Sequence, residues 1–361
     1  MNRGGAETMI MNLYRHIDRS KVQFDFVVHT EDKCAFDDEI TQLGGRIYRI
    51  PRYNGKNHFI YTKAWRVFLI KHSEFKIIHG HLRTTASLYL NIAKKFGLIT
   101  IAHSHSTASR GNRINRLVKA IMQIPIKYTA DYMFACSYEA GRWLFGDRVI
   151  NNHKFRIFKN AIELNKFQYN LKTRNYIRNI LNINDKLVVG HVGSFSTPKN
   201  HSFLLDIFFE LQKYNEDSIL LLIGDGELRA NIEIKARKLD IKDKVIFIGS
   251  VPDVNDYIQA MDVFVFPSIF EGLGISLIEA QAANLPCVIS DCIPSEVIVT
   301  NLIETVSLDA PPNLWVEKIN KTINSNVRDH KNYAQLAEKG YCVLDTAKEL
   351  EKFYLIISKL K

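Results

Sequence analysis

Short apolar runs alternate with helix-like stretches along the whole of this chain, and they do so in two series. In the first, 24–29, 46–50, 77–79, 99–102 and 132–135 read as strands, and 60–72, 84–96 and 113–128 as helices. In the second, the strands are 187–190, 219–223, 245–248, 263–266 and 287–289, with helices near 200–214, 227–239 and 254–261. A strand, a helix and a further strand in that order require a crossover connection, which gives parallel pairing with helices on both faces. Between the series, 165–185 is rich in Asn and Lys and has little periodicity, so it reads as a linker. The expectation is α/β: two Rossmann-like, doubly wound domains facing a cleft, over 1–165 and 166–340. Ligands in such sheets bind beyond the carboxyl ends of the strands.

Composition fits that layout. At 361 residues the chain is long enough for two cores, and 46% hydrophobic with 24% charged residues is typical of globular domains. No apolar run approaches the roughly 18 residues needed to span a bilayer, and no signal-peptide pattern opens the chain. Cys34, Cys136, Cys287, Cys292 and Cys342 are odd in number and lack C-x-x-C spacing. That points to reduced thiols in a cytoplasmic protein and away from zinc or a disulfide framework.

The net charge of +10 is unevenly spread, with 26 Lys and Arg against 12 Asp and Glu in 1–160, and 22 against 26 thereafter. A basic half suits anionic lipid, a phosphorylated acceptor or nucleic acid, or serves solubility alone. Aromatic–basic interleaving and nucleic-acid recognition motifs are absent from the sequence, so nucleic acid is not an expected partner.

The richest segment is Glu271-Gly-Leu-Gly-Ile-Ser-Leu-Ile-Glu279. It follows the apolar run 263–266 and Pro267-Ser268, and it leads into a helical pattern from Ile275. A strand, a glycine-bearing loop and a helix start form a natural anion site, because the first helical N–H groups have no partner inside the helix. Glu271 belongs to the loop and Glu279 lies further along the helix, which suits a ligand with phosphates at the helix end and hydroxyls on both sides. Elsewhere, 191–200 leaves a strand with Gly193 for close backbone approach and Lys199 as a point charge. Gly224-Asp-Gly-Glu227 reads as a turn with helix-capping character, and Gly249-Ser-Val251 ends a strand beside it.

Together with Pro286, these pieces resemble the C-terminal half of the family 4 glycosyltransferases, which have the GT-B fold. Gly4-Gly5-Ala6-Glu7, the run 102–107 (Ala-His-Ser-His-Ser-Thr) and Asn160-Ala-Ile-Glu163 are similar to its N-terminal half, in the flavour of bacterial exopolysaccharide and capsule enzymes. The resemblance covers nearly the whole chain, and the spacing of the two glutamates is its specific element.

That resemblance implies a retaining, metal-independent hexosyl transfer from a nucleotide-diphosphate donor, UDP-linked, to a growing cell-surface polysaccharide or lipid-linked acceptor. It implies no cofactor, and no Asp-x-Asp pair occurs in the sequence. Lys199 and N–H groups near Leu273 and Gly274 would stabilise the leaving diphosphate. Glu279 would accept from the ribose hydroxyls, and Glu271 would approach the donor sugar. Gly193, Ser194, Gly224, Val251 and Gly272 complete the implied donor site. His105 matches the histidine that reaches the donor sugar, with His103 as the competing assignment. Gly4, Gly5, Arg110 and Arg113 fall on the acceptor side, where a basic stripe with Arg116 and Lys119 suits an anionic membrane on the cytoplasmic face. The final stretch, 341–361, would pack back toward the N-terminal domain as an amphipathic helix.

The chain departs from the family pattern twice. Ser194 stands where many relatives have Arg, which removes a cation from the diphosphate. The Gly4-Gly5 turn normally leaves a strand, yet only three residues precede it, so a first strand is expected to be missing, with activity impaired. A non-catalytic sugar-nucleotide-binding protein of the same fold is the alternative reading.

Overall fold

The computed structural model describes residues 1, 4–105, 113–325, 328 and 332–359. Two compact units divide the chain: Met1–Ile162 with Cys342–Lys361, and Glu163–Tyr341.

Strands β1 (Phe26–Val28), β2 (Ile47–Arg49), β3 (Ile77–Gly80), β4 (Ile99–Ser104), β5 (Tyr132–Ala135) and β6 (Phe155–Ile157) belong to the first unit. All pair in parallel, but in two sheets: β1 with β2, and β3-β4-β5-β6. Among the described residues no strand precedes the helix Gly5–His16. Helices cover both faces of the larger sheet. On one face Met9, Met11, Leu13 and Tyr14 of Gly5–His16 share a core with Ile99, Ile101 and Phe134 and with Leu350, Phe353, Tyr354 and Ile357 of the last helix, Val343–Ile357. On the other, Tyr61, Trp65, Tyr89, Leu90 and Phe145 pack together. The helical pattern of 113–128 is split at Pro125 into Arg113–Gln123 and Ile126–Thr129. Proline supplies no N–H to continue the first helix but suits the start of the second.

The second unit holds β7 (Leu187–Val192), β8 (Ser218–Ile223), β9 (Val245–Gly249), β10 (Val263–Phe266), β11 (Cys287–Ser290) and β12 (Ile303–Val306). They form one parallel sheet in the order β12-β11-β10-β7-β8-β9. Helix His201–Gln212 buries Leu204, Leu205, Phe208 and Leu211 against it, and Trp315, Val316 and Ile319 come from Pro312–Ser325. Strands buried on both faces have no need of alternating polar residues, which is why β8 and β10 read as unbroken apolar runs.

One expectation needs correction. The stretch expected to be a linker is structured: it contains helices Leu164–Phe167 and Leu171–Ile180. Asn170 caps the second by accepting from the Thr173 N–H, 3.1 Å away. Arg174 and Arg178 fasten it to Asp262, at 2.5 and 3.2 Å, and to the carbonyls of Gln259, Ala260 and Met261. Polar anchoring of this kind leaves no apolar period in the sequence.

Candidate functional site

In the second unit β7 and β10 are neighbours, but the chain leaves them in opposite directions. Strands β8 and β9 lie beyond β7, and β11 and β12 lie beyond β10. At such a switch point the two following loops part and leave a crevice outside the strand ends. Residues 193–200 follow β7 and 267–274 follow β10, and the loops are tied together. The Ile269 N–H donates to the Pro198 carbonyl at 2.8 Å, and the Asn200 side-chain amide donates to the Pro267 carbonyl at 3.1 Å.

This places Lys199 against Glu271. Lys199 ends the short 3-10 turn Thr197–Lys199, and its Nζ lies 2.6 Å from Glu271 Oε1, with side chains only 17% and 9% exposed. The ammonium also sits 4.8 Å from the Phe266 ring centroid, a cation–π contact. Glu279 lies on the helix Ile275–Ala282, where burial pushes its carboxyl up to about 7 and the nearby Lys199 charge partly offsets the rise. One cation therefore serves two carboxylates of unlike character: one firmly paired, one that titrates close to neutrality.

The ends of β7, β8 and β9 carry a ladder of backbone contacts. The Gly193 N–H donates to the Ile223 carbonyl and the Gly224 N–H to the Gly249 carbonyl, each at 2.9 Å, while the Phe195 N–H donates to the Asp225 carbonyl at 3.0 Å. Gly224 has φ +133°, and a Cβ there would collide with the Gly193 carbonyl, so a side chain is excluded twice over. The capping role expected for Gly224-Asp-Gly-Glu227 is not what these residues do. The helix starts at Arg229 with no side-chain cap, and Asp225 instead accepts from the Gly226 N–H. Ser194 is exposed, and its hydroxyl lies 3.1 Å from that of Ser196. Val251 is part-exposed just past β9, away from the Lys199–Glu271 pair along the sheet edge.

Gly274, in the left-handed region at φ 80°, is the residue from which the helix Ile275–Ala282 begins. Leu273 is buried and Gly272 part-exposed. Behind the helix, the Gln281 amide donates to the carbonyls of Leu277 and Val297, and its oxygen accepts from the N–H groups of Val299 and Thr300. The helix carrying Glu279 is thereby fixed in place.

Sequence reasoning missed His191, which stands two residues before Gly193. Its ring is buried with Nδ1 2.9 Å from the Val265 carbonyl, and its Nε2 has no hydrogen-bond partner among the described residues. It borders Gly193, whose other neighbour is the Lys199 side chain. Arg229, beside Gly249, is a second cation at these strand ends, engaged by Glu233 at 3.0 Å and Asp225 at 3.5 Å.

In the first unit His105 follows β4, and it is one of four histidines. His79 and Ile101 are register partners, which puts His79, His81, His103 and His105 on one face of β3 and β4. His81 Nδ1 lies 2.8 Å from His105 Nε2, and His79 Nε2 lies 3.2 Å from His103 Nδ1. Burial holds His79, His103 and His105 well below the usual imidazole range and pushes His81 down to about 4, because the charged imidazole is poorly hydrated there. Sequence reasoning weighed only His103 and His105; the available signal was the H-x-H spacing repeated in two consecutive strands.

Gly4 immediately precedes the helix Gly5–His16 with an extended backbone, and the space around Gly5 is open. Arg110 lies outside the described residues, as does the side chain of Arg113, whose backbone opens the helix Arg113–Gln123. Along and just beyond that helix Leu117, Ile121 and Ile124 are each more than half exposed, close to Arg116 and Lys119. No helix among the described residues is long and apolar enough to cross a membrane.

Comparison with known proteins supplies the family and agrees with the fold. Residues 3–166 match the family described as Glycosyltransferase Family 4, and residues 173–342 match Glycosyl transferases group 1. A putative glycosyltransferase, EpsF of Bacillus subtilis, is 35% identical over 348 residues, covering 94% of this chain and 90% of its own length. The UDP-Gal:alpha-D-GlcNAc-diphosphoundecaprenol alpha-1,3-galactosyltransferase of Escherichia coli is 24% identical over 277 residues, 72% of each chain. Among solved structures, Anabaena HepE in complex with UDP-glucose superposes with a TM-score of 0.72 at 16% identity, over 96% of this chain and 92% of its own.

Proposed function

The chain belongs to the family 4 glycosyltransferases, of GT-B fold, and on that footing we propose that it moves a hexose from a UDP-linked donor to a lipid-linked or oligosaccharide acceptor with retention of configuration. The observation that carries the reading is the Lys199–Glu271 pair, 2.6 Å apart, at the switch point of the second unit's sheet. In this proposal Lys199 and the amides at the start of the helix Ile275–Ala282 take up the charge of the departing diphosphate, with no divalent cation required there. Glu271 accepts from hydroxyls of the transferred sugar, and Glu279 accepts from the ribose. Gly193, Ser194, Gly224, Val251, Gly272, Leu273 and Gly274 supply backbone around the nucleotide. The leaving phosphate oxygen takes the acceptor hydroxyl's proton, so positioning and charge stabilisation supply most of the rate.

From the first unit, His105 is proposed to act on the donor sugar, and Gly4, Gly5, Arg110 and Arg113 to serve the acceptor. The product is a cell-surface polysaccharide, built on the cytoplasmic face of the membrane. Support for a lipid-linked acceptor comes from the exposed apolar and basic side chains of the helix Arg113–Gln123 and from the substrate named for the Escherichia coli relative.

A panel of nucleotide sugars tests the reading, with UDP or GDP release and transfer to a lipid-linked acceptor as readouts. Release with UDP-sugars that falls steeply in Lys199→Ala and Glu271→Ala is expected; equal release by parent and variants refutes the site. A second reading is motivated by Ser194, which leaves no cation directly after Gly193. Tight UDP binding with no turnover of any donor would establish a binding protein instead.

A further inference from the structure

We propose that His79, His81 and His103 form a binding site for a late first-row divalent metal ion, zinc foremost, within the first unit. The inference stands apart from the Lys199–Glu271 pair, since its ligands lie on β3, β4 or directly beside them, and it shares with the proposed function one residue, His105, which orients His81.

Parallel register creates the site. Residues two apart on a strand share a face, and His79 and His81 meet that condition at the end of β3. The β3–β4 pairing then brings His103 beside them, so three imidazoles converge from two adjacent strands. One candidate ligand atom from each of the three lies within 4.8 Å of the others. In a tetrahedral zinc site such atoms are roughly 3.3 Å apart, and the three rings, whose planes now lie 13–36° from one another, turn about their side-chain torsions to reach it. His79 Nε2 and His103 Nδ1 already stand 3.2 Å apart.

The outer nitrogens are held as metal-bound imidazoles require. His79 Nδ1 is 2.5 Å from the Tyr354 hydroxyl, and His81 Nδ1 is 2.8 Å from His105 Nε2. That leaves Nε2 of each as the available ligand atom. The Phe134 ring closes one side, 5.3 Å from His79 and 5.8 Å from His103. An all-nitrogen set favours zinc, nickel, cobalt or copper over magnesium and calcium, which take oxygen ligands. Three imidazoles leave a fourth position for water or a ligand.

The test uses the full chain, free of any affinity tag and stripped with a chelator. Cobalt(II) is titrated with visible absorption as the readout, and zinc by calorimetry. One equivalent is expected to bind with a Kd below about 10 µM and to raise the melting temperature. His81→Gln and His103→Gln are each expected to weaken binding at least about 30-fold, whereas His153→Gln, an exposed histidine elsewhere, leaves it within about twofold. Circular dichroism confirms that each variant folds. X-ray absorption on the zinc-loaded parent supplies a readout without mutation: three imidazole scatterers are expected. Binding of less than one equivalent or weaker than about 10 µM, unchanged affinity in folded His81→Gln and His103→Gln, or fewer than three imidazoles at zinc would overturn the proposal.

Discussion

Lys199 Nζ lies 2.6 Å from Glu271 Oε1, so the cation proposed for the diphosphate is already neutralised before any ligand arrives. Donor binding must share or displace that contact. Removing either partner strands the other charge in a poorly hydrated place. Lys199→Ala is expected to weaken UDP binding about 10- to 100-fold, the equivalent of a charge-assisted contact of about 1.5–3 kcal/mol. Glu271→Gln frees Lys199 and should leave UDP affinity equal or higher, while transfer falls at least about 100-fold. Calorimetry with UDP beside turnover measurements separates the two.

Glu279 gives a pH dependence of fixed sign. Its carboxyl is raised to about 7 from an ordinary value of 4.5, so the folded state holds the proton more tightly than the unfolded chain does. The resulting stability is whole below about 4.5 and is lost as pH rises through about 7. Between about pH 5 and pH 8 the parent should lose on the order of 2 kcal/mol relative to Glu279→Gln, a figure reduced for the partial exposure of the side chain. Denaturant unfolding at the two pH values checks it. Because the ionised form is the better acceptor for ribose hydroxyls, the parent's UDP affinity relative to the variant's should rise over the same interval.

Gly224→Ala places a methyl group against the Gly193 carbonyl at a backbone angle that only glycine adopts freely. A loss of about 2–3 kcal/mol is expected, and a lower melting temperature, with UDP binding weakened because the same two glycines stand at the strand ends where the nucleotide is proposed to bind. Gly55→Ala, at a positive φ with open space around it in the first unit, should cost stability without touching UDP affinity.

Arg178 tests whether the segment between the two series belongs to the second unit. The guanidinium is almost fully buried and donates to the carbonyls of Ala260, Asn184 and Lys186 as well as to Asp262. Arg178→Met should destabilise by about 3–5 kcal/mol, because it leaves Asp262 underpaired and several carbonyls without donors. A detachable linker would tolerate the change, and denaturant unfolding of the full chain distinguishes the two.

The exposed row Leu117, Ile121 and Ile124 should contribute to membrane affinity if the acceptor is lipid-linked. The double variant Leu117→Ser, Ile121→Ser is expected to reduce partition onto anionic vesicles about tenfold, with hydrolysis of a soluble donor unaffected. Vesicle sedimentation at low and moderate salt reads the result.

Much of the fold is legible in the amino-acid sequence. Strands β8, β10 and β11 are buried on both faces, so their apolar runs are unbroken and mark themselves. Strands β6 and β12 escape such a reading because they are short edge strands carrying Arg156, Glu304 and Thr305. The helix 171–180 is hidden for a different reason: it is held by guanidinium-to-carbonyl bonds, which leave no hydrophobic period. Lys199 and Glu271 can each be singled out from local spacing, but their contact cannot, because it depends on β7 lying beside β10. His79 and His81 have a visible spacing whose meaning appears only once the β3–β4 register is known.

The position of β7 in its sheet also governs when the site can exist. Lys199 and Glu271 are separated by 72 residues, and the strands beneath them pair only after β8 and β9 have been laid down on the opposite side. Long-range parallel pairing of this kind is slow to close, since the entropy of the intervening loop is lost before any contact compensates. A growing polypeptide that has emerged only as far as β9 therefore carries the lysine but has no partner for it. If the pair binds the nucleotide as proposed, binding reports on the completed second unit and on nothing smaller, and UDP protection becomes a sensitive assay for its folding.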